Sequence, residues 1–267
     1  MTSIQAIILG VIQGLTEFLP ISSSGHLVLA EKIMNVKTDS LLFVTCLHVG
    51  TLVAVIFAMR EEIRRLLRNL WCRENLLIAA ALVPTAAIGA LFEEVFEGLF
   101  NSGATLGLEF VITGVILWWM DNYLHGTKTE STIRIRDALW IGAFQGAAMF
   151  PALSRSGMTI AAGLWRGMDR EAAGRFSFLL SIPAILGATL MQMEDLWENP
   201  QHLAIPLLPL ILGTAAAAIA GYLSVRWTLW WLKKARMRVF AIYVFALAAF
   251  ILMDQFIFHV SFANPFA

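Results

Sequence analysis

Two similar polar phrases carry the residue types that could do chemistry. The first, QGLTEFLPISSSGH, covers residues 13–26, and the second, QGAAMFPALSRSGM, covers residues 145–158. The first supplies a carboxylate at Glu17, a hydroxyl at Ser23 and an imidazole at His26, and the second supplies a guanidinium at Arg155. Ser23 is a candidate nucleophile, and His26 lies near enough in a first helical turn to act as its general base or acid. The alternative is a Glu17–Arg155 ion pair that only ties two parts of the chain together.

Each phrase also contains a Ser-x-Ser-Gly pattern that could open a helix. Free N–H groups and the helix dipole make a helix N-terminus an anion site, and glycine lets the backbone approach closely. The fork of the Arg155 guanidinium matches phosphate oxygens. The pattern therefore predicts a phosphate or diphosphate site that includes Ser22, Ser24, Gly25, Ser154, Ser156 and Gly157.

A divalent cation is a further prediction for the first phrase. Gln13 and Glu17 are spaced i, i+4 and so share one helix face. Their two oxygen ligands could hold Mg²⁺ or Ca²⁺, with phosphate oxygens completing the shell. The cation would offset the repulsion between Glu17 and the phosphates.

The elements that must position these residues are membrane helices. The 267-residue chain is 58% hydrophobic and only 14% charged, which is typical of a bilayer protein. Its net charge is zero, so a nucleic-acid partner has no electrostatic support. Ionisable residues inside such a chain are costly and indicate function.

The apolar pattern predicts an all-α integral membrane protein with six transmembrane helices and two re-entrant helical hairpins. A span needs about 20 helical residues. The predicted spans are 41–59, 75–92, 106–122, 176–193, 207–228 and 239–259. The apolar stretches 4–30 and 138–165 are each interrupted by a polar phrase with a proline, Pro20 or Pro151, which favours a broken helix.

Basic residues predict the orientation of the spans. If the spans alternate, sixteen lysines and arginines fall on one side, and only Lys32 and Lys37 on the other. The basic side is expected to be cytoplasmic, so both termini lie outside. Elsewhere, His48 is interpreted as packing or a polar cap to the site, and Glu109 as an interfacial residue.

The sequence repeats itself after 132 positions. Eight of the twenty residues 6–25 are identical to residues 132 positions later, and the first three spans fall close to the last three. We therefore predict one membrane domain, 1–267, made of repeat one (1–130) and repeat two (131–267). Three crossings per repeat invert the second copy, which puts the site near the midplane where the hairpins meet. The shared Gly14 and Gly146 indicate close helix packing.

The two phrases resemble the motifs of the undecaprenyl-diphosphatases, the bacitracin-resistance type of membrane phosphatase. The family patterns EGLTEFLPxSSTGH and PGxSRSG appear here as QGLTEFLPISSSGH and PALSRSG, and the similarity extends over essentially the whole chain. It departs at Gln13, which removes a negative charge, at Ser24 in place of threonine, and at Ala152, which stiffens the second loop.

The resemblance implies a phosphatase of the bacterial plasma membrane. Such an enzyme hydrolyses undecaprenyl diphosphate to the monophosphate and inorganic phosphate, recycling the lipid carrier of cell-wall synthesis. It depends on a divalent cation and opens its site toward the outer face. Glu17 then matches the acidic catalytic or metal-binding residue, Ser23 the proposed nucleophile, His26 the essential histidine and Arg155 the phosphate clamp.

Several alternatives stay open at this point. The attacking group is Ser23, His26 or an activated water. A transporter or lipid flippase is the rival function, because inverted repeats with broken helices are typical of transporters. A homodimer is one of the assemblies that the sequence leaves open.

Overall fold

The computed structural model describes residues 1–36, 41–123, 125–198, 206–258 and Phe262. These residues form α-helices with short connections and no strand. The helices are α1 Ser3–Phe18, α2 Ser23–Ile33, α3 Leu41–Ala58, α4 Arg60–Arg68, α5 Arg73–Ser102, α6 Leu106–Met120, α7 Ile135–Ala147, α8 Arg155–Trp165, α9 Arg170–Glu198, α10 Leu207–Lys234 and α11 Arg238–Met253.

Five helical segments in the described part of the chain are long and apolar enough to cross a membrane. They are Leu41–Ala58, Arg73–Phe96, Arg170–Glu194, Leu207–Lys234 and Arg238–Phe258. The chain is therefore a helical multi-pass membrane protein. The predicted span 106–122 corresponds to α6, which has 15 residues and is about 22 Å long at the helical rise per residue. Lys37, which entered the charge comparison, lies outside the described residues.

Both polar phrases break a helix, as the prolines predict. The chain leaves α1 after Phe18 and enters α2 at Ser23, and it leaves α7 after Ala147 and enters α8 at Arg155. Pro20 and Pro151 lie inside these breaks. Proline has no N–H to donate, so neither break costs a helical hydrogen bond at that residue.

The helix boundaries follow the 132-residue offset of the sequence. Adding 132 to the bounds of α2, residues 23–33, gives 155–165, the bounds of α8. Adding 132 to α6, residues 106–120, gives 238–252, and α11 covers 238–253. The two halves therefore carry the same succession of helices, apart from α4.

The first helix of each half packs against a long helix of the other half. α1 packs along α10, and α7 packs along α5, which is the counterpart of α10. Glycines permit both contacts: a Cβ at Gly14 would lie 2.5 Å from the Ala217 carbonyl oxygen, and one at Gly146 would lie 2.8 Å from Ile88. The predicted role of Gly14 and Gly146 in close helix packing is confirmed.

The basic loops gather at one end of the bundle. Asp137 at the start of α7 accepts from Arg166 at 2.7 Å and Lys128 at 3.3 Å. Arg73 donates to the Ser131 and Ile133 carbonyls, which joins the loop before α5 to the loop before α7. The loops that carry most of the arginines and lysines therefore share one face, as an alternating arrangement of spans requires.

The close contact between α7 and α5 can be tested at Gly142. A Cβ there would overlap the Ala81 carbonyl oxygen, so Gly142→Ala should force α7 away from α5 and destabilise the fold by about 1–3 kcal/mol. Thermal unfolding in detergent should show a lower midpoint. The matched control is Gly187→Ala, because a Cβ there meets nothing within 4 Å and removing a helical glycine favours the helix. Equal midpoints for the two variants would contradict the proposed contact.

Candidate active site

Serine side chains fix the first turn of the helix that follows each break. Ser22 is the N-cap of α2 and accepts from the Gly25 N–H at 3.4 Å, and Ser154 is the N-cap of α8 and accepts from the Gly157 N–H at 3.1 Å. Ser22 has φ +69°, a backbone conformation that is uncommon for a residue with a side chain. Residues held in such conformations cluster at functional sites, where the surrounding structure maintains them.

The two breaks are joined by hydrogen bonds. The Ser22 hydroxyl donates to the Pro151 carbonyl at 3.0 Å, and the Ser156 hydroxyl donates to the Leu19 carbonyl at 3.0 Å. Both serines are buried. Because a buried backbone carbonyl without a partner is costly, these bonds let irregular backbone exist inside an apolar bundle.

Glu17 lies at the centre of the site. Its Oε1 accepts from Arg155 Nη2 at 2.6 Å, and its Oε2 accepts from the Ser23 hydroxyl at 2.6 Å. Gln13 Nε2 donates to Oε2 at 3.0 Å. Ser23 and Arg155 are the first residues of α2 and α8, so one buried carboxylate bridges the two hairpins.

His48 belongs to this network, which agrees with its interpretation as a polar cap to the site rather than with packing alone. Its Nδ1 lies 3.2 Å from Gln13 Nε2 and 4.0 Å from Glu17 Oε2. It reaches the site from α3, a helix outside both polar phrases. The only sequence signal was a titratable side chain in the middle of an apolar span.

His26 does not form the predicted pair with Ser23. Its Nδ1 donates to the Ser22 carbonyl at 2.6 Å, and Nε2 lies 2.8 Å from the Tyr243 hydroxyl. The ring also stacks on Tyr243 and meets the edge of Phe110. Sequence spacing placed His26 on the turn after Ser23, but tertiary partners turn its ring toward α11 and use both nitrogens.

The predicted phosphate-binding residues fall into two groups. Ser22, Ser24 and Ser154 line the central cavity together with Ser23 and Arg155. Gly25, Ser156 and Gly157 do not line it, which differs from the prediction. Gly25 instead faces Phe110, where a Cβ would lie 2.5 Å from the ring, and Ser156 serves as the tie to Leu19.

Glu109 supports the second break, a role that its interpretation as an interfacial residue did not include. It is buried on α6, and its carboxylate accepts from the Ala152 N–H at 2.5 Å and from Thr105. Thr113, one turn along the same helix, donates to the Ala152 carbonyl at 2.9 Å and accepts from the Ser154 N–H at 3.3 Å. These contacts hold the loop that presents Arg155.

The cavity between the two hairpins has about 650 Å³ of volume and two kinds of wall. At one end stand Glu17, Ser23, His48 and Arg155. The other wall comes mainly from α5 and α9 and is mostly apolar, although Thr85, Thr189 and Gln192 also line it; its apolar side chains are Leu82, Ala86, Pro183, Ile185, Ala188 and Met191, with Met149 added from the second break. This division matches a ligand with an anionic head and a hydrocarbon tail.

Two buried polar atoms at the charged end lack hydrogen-bond partners among the described residues. They are Arg155 Nη1, a donor, and Gln13 Oε1, an acceptor. A phosphate oxygen suits the first, and a hard cation suits the second. Among the described residues, no three or more His, Cys, Asp or Glu side chains lie together in a way that could hold a metal ion. Gln13 is not among the residues that line the cavity, and it turns its NH2 group rather than Oε1 toward Glu17, so the two residues fit a shared cation only if the Gln13 amide rotates and phosphate oxygens complete the coordination shell.

Comparison with known proteins assigns the family. Residues 6–250 match the family model described as bacitracin resistance protein BacA. The chain is 48% identical to an undecaprenyl-diphosphatase of Carboxydothermus hydrogenoformans and 46% identical to undecaprenyl-diphosphatase 3 of Bacillus cereus, each over 96% of this chain and 98% of the relative. It is 38% identical to an undecaprenyl-diphosphatase of Halothermothrix orenii over 93% of this chain and 96% of that protein. On these matches, which extend over nearly its full length, the chain belongs to the BacA family of bacitracin resistance proteins.

Proposed function

We propose that this protein is a membrane phosphatase that hydrolyses undecaprenyl diphosphate to undecaprenyl phosphate and inorganic phosphate. The observation that carries the proposal is the Glu17 carboxylate, which contacts the Ser23 hydroxyl and the Arg155 guanidinium at the polar end of an apolar cavity. The names of the relatives support the same substrate. Such an enzyme would recycle the lipid carrier for peptidoglycan synthesis, and this activity would account for bacitracin resistance.

Ser23 is the proposed nucleophile and Glu17 its general base. The Ser23 oxygen attacks the terminal phosphorus, and its proton passes to Glu17 Oε2, to which it already donates. The bond from phosphorus to the bridging oxygen breaks, and the lipid monophosphate leaves with the electron pair. Glu17 releases the proton it took, and water attacks the phosphoserine while giving one proton to Glu17. The phosphorus–Oγ bond breaks with its electron pair on Oγ, Ser23 takes that proton from Glu17, and inorganic phosphate leaves with the other proton of the water.

Arg155 is the proposed phosphate clamp. Its Nη2 remains on Glu17, while Nη1 is available to donate to a non-bridging phosphate oxygen. The guanidinium then offsets negative charge that develops in the transition state, in a site shielded from bulk water. Ser22, Ser24 and Ser154 stand around the same space.

Gln13 and Glu17 are the proposed protein ligands of Mg²⁺ or Ca²⁺. Gln13 Oε1 is buried without a partner in the part of the chain that the structure describes, as an unused cation ligand would be. When bound, the cation would act as a Lewis acid on the phosphate oxygens. EDTA should therefore suppress phosphate release.

The polyprenyl tail is proposed to leave the site between α5 and α9. The counterpart pair, α3 and α10, packs extensively, whereas α5 and α9 make few contacts and their residues form the apolar wall of the cavity. A long hydrocarbon could therefore extend from the site into the bilayer without crossing a packed interface.

The proposed topology is six crossings and two re-entrant hairpins in an inverted repeat, 1–130 and 131–267. α6 serves as the short crossing, lengthened by the 3₁₀ turn Asp121–Tyr123. The basic end faces the cytoplasm of a bacterial inner membrane, and the termini and the opening of the site face outward. A homodimer stays a prediction, to be checked by the mass of the protein in detergent.

The rival function, a transporter or lipid flippase, is less well supported. In a transporter, the two hairpins could carry similar binding groups. In this protein, Glu17, Ser23 and His26 occur in one hairpin and Arg155 in the other. This difference favours a reaction centre over a symmetric binding site.

Phosphate release from undecaprenyl diphosphate by the purified protein in detergent with Mg²⁺ tests the function. Glu17→Gln should lower the rate by about 10²–10⁴-fold, because the base and the partner of Arg155 are lost together. The matched control is Glu61→Gln, an exposed carboxylate on α4, which should keep the wild-type rate. No release from folded wild-type protein would overturn the enzymatic proposal.

Acid quenching with substrate labelled at the terminal phosphate tests the nucleophile. Wild-type protein should carry label on Ser23 in a single turnover, and Ser23→Ala should carry none and turn over at least about 100-fold more slowly. Ser131→Ala, at an exposed serine in the basic loops, is the control. Normal turnover by Ser23→Ala would remove Ser23 as nucleophile and leave attack by water activated at Glu17.

His26 is expected to position the first break rather than transfer a proton. His26→Ala removes the donor to the Ser22 carbonyl and should slow phosphate release by about 10–100-fold, the cost of one unsatisfied buried carbonyl. The shorter amide of His26→Asn can still donate to that carbonyl, so it should restore most of the rate with an unchanged pH profile. Two equally inactive variants would instead support acid–base chemistry by His26.

The tail path predicts an effect that depends on chain length. Ala188→Trp fills the apolar wall and should raise the KM for undecaprenyl diphosphate about tenfold, the loss of roughly two buried methylenes, with little effect on farnesyl diphosphate. Leu186→Trp, on the same helix but outside the cavity lining, is the control. Equal effects on both substrates would argue against this path.

A further inference from the structure

A second cavity of about 540 Å³ lies at the basic end of the bundle. It forms where α6 ends, α9 begins and α10 turns into α11, and it shares no residue with the central cavity. Its lining residues are Asp121, Asn122, His125, Arg170, Lys234, Ala235, Arg236 and Arg238.

The lining carries an excess of positive charge. The one carboxylate, Asp121, is already used within the fold: its Oδ1 accepts from the Met237 N–H at 2.8 Å, and its Oδ2 accepts from the Arg238 N–H at 3.3 Å. Arg238 Nε also lies 3.6 Å from this carboxylate. Asp121 also interacts electrostatically with Arg170, so this one carboxylate of the lining stands against four basic side chains, Arg170, Lys234, Arg236 and Arg238.

The two carboxylates next to Arg170 in the chain are engaged elsewhere. Asp169 caps the start of α9, where its Oδ1 accepts from the Glu171 and Ala172 N–H groups at 3.0 Å. Glu171, next to Arg170, pairs with Arg175 and with Lys233, both at 2.9 Å. Arg170 Nη2 donates to the Ala235 carbonyl, and its buried Nε has no hydrogen-bond partner within the described ranges. A buried guanidinium donor without an acceptor, beside a basic cavity, indicates space for an anion.

Tryptophans place this cavity at the level of lipid headgroups. Trp118 and Trp119 lie in the last turn of α6, and Trp230 and Trp231 in the last turns of α10. Arg238 lies over the Trp118 ring at 4.9 Å, and Lys234 over the Trp230 ring at 5.4 Å. Tryptophan is enriched at the membrane–water interface, so the cavity opens where phosphate-bearing headgroups are concentrated.

We propose that this cavity binds the phosphate of an anionic membrane lipid, with the headgroup held by Arg170, Lys234 and Arg236. Basic pockets between transmembrane helices on the cytoplasmic side take such headgroups. A lipid bound here would join the ends of α6, α9 and α10, which already pack there through buried apolar side chains such as Met120, Ala173 and Leu232. The proposal does not depend on the reaction at Glu17.

Native mass spectrometry of the protein in detergent, titrated with dioctanoyl phosphatidylglycerol or dioctanoyl phosphatidylcholine, tests the proposal. Wild-type protein should retain one phosphatidylglycerol more tightly than phosphatidylcholine. Lys234→Gln with Arg236→Gln should weaken that binding about 30-fold, since each basic residue near an anionic headgroup contributes about fivefold. Both side chains are exposed, so the variant should fold.

The matched control removes two other exposed arginines of the basic end, by Arg64→Gln with Arg68→Gln on α4. It should bind phosphatidylglycerol as the wild type does, and both double variants should keep the wild-type rate of phosphate release. Equal retention of the two lipids, or equal weakening by the control, would overturn the proposed site. Displacement of phosphatidylglycerol by an equal concentration of inorganic phosphate would assign the cavity to free phosphate and exclude the lipid.

Discussion

The buried carboxylate of Glu17 is the interaction on which the site depends. A charge inside an apolar bundle is stable only when it is paired and fully hydrogen-bonded, and removing one partner of such a pair typically costs about 3–5 kcal/mol. Glu17 meets that requirement with Arg155, Ser23 and Gln13, which come from both hairpins. The same contacts that make the charge tolerable also bring the proposed nucleophile, base and phosphate clamp together.

The breaks that carry Ser23 and Arg155 need support of their own, because in the proposed topology they lie at membrane depth, where lipid cannot hydrogen-bond to exposed backbone groups. Each half meets this need differently. Glu109 and Thr113 hold the second break from α6, whereas His26 ties the first break to Tyr243 on α11. α6 and α11, which occupy matching positions in the two halves, therefore support the two breaks through different contacts. The two hairpins also present different side chains to the cavity.

Close packing sets where the hairpins meet. Glycines on α1 and α7 allow each hairpin to lie along a long helix of the other half, so the two breaks arrive at the same depth. The looser contact between α5 and α9 leaves the apolar wall open. At the basic end of the bundle, the arginines and lysines on which the proposed orientation rests also form a second cavity beside the tryptophans.

The sequence by itself determined the helical membrane character, the two breaks and the 132-residue offset. It also singled out Glu17, Ser23 and Arg155 as candidate residues of one site. These follow from hydropathy, proline and the rarity of charge in apolar segments, which are local properties. Among the contacts of the site, the sequence suggested the Glu17–Arg155 ion pair, which the structure contains, but not the others. The spacing suggested that Ser23 pairs with His26. In the fold, Ser23 instead donates a hydrogen bond to Glu17, and His26 contacts the Tyr243 hydroxyl. His48 joins the network at Gln13, and Glu109 accepts from the second break. Only tertiary structure decides such pairings, because a side chain one turn away competes with groups that lie from six to more than two hundred residues away and that the packed helices and the break bring closer.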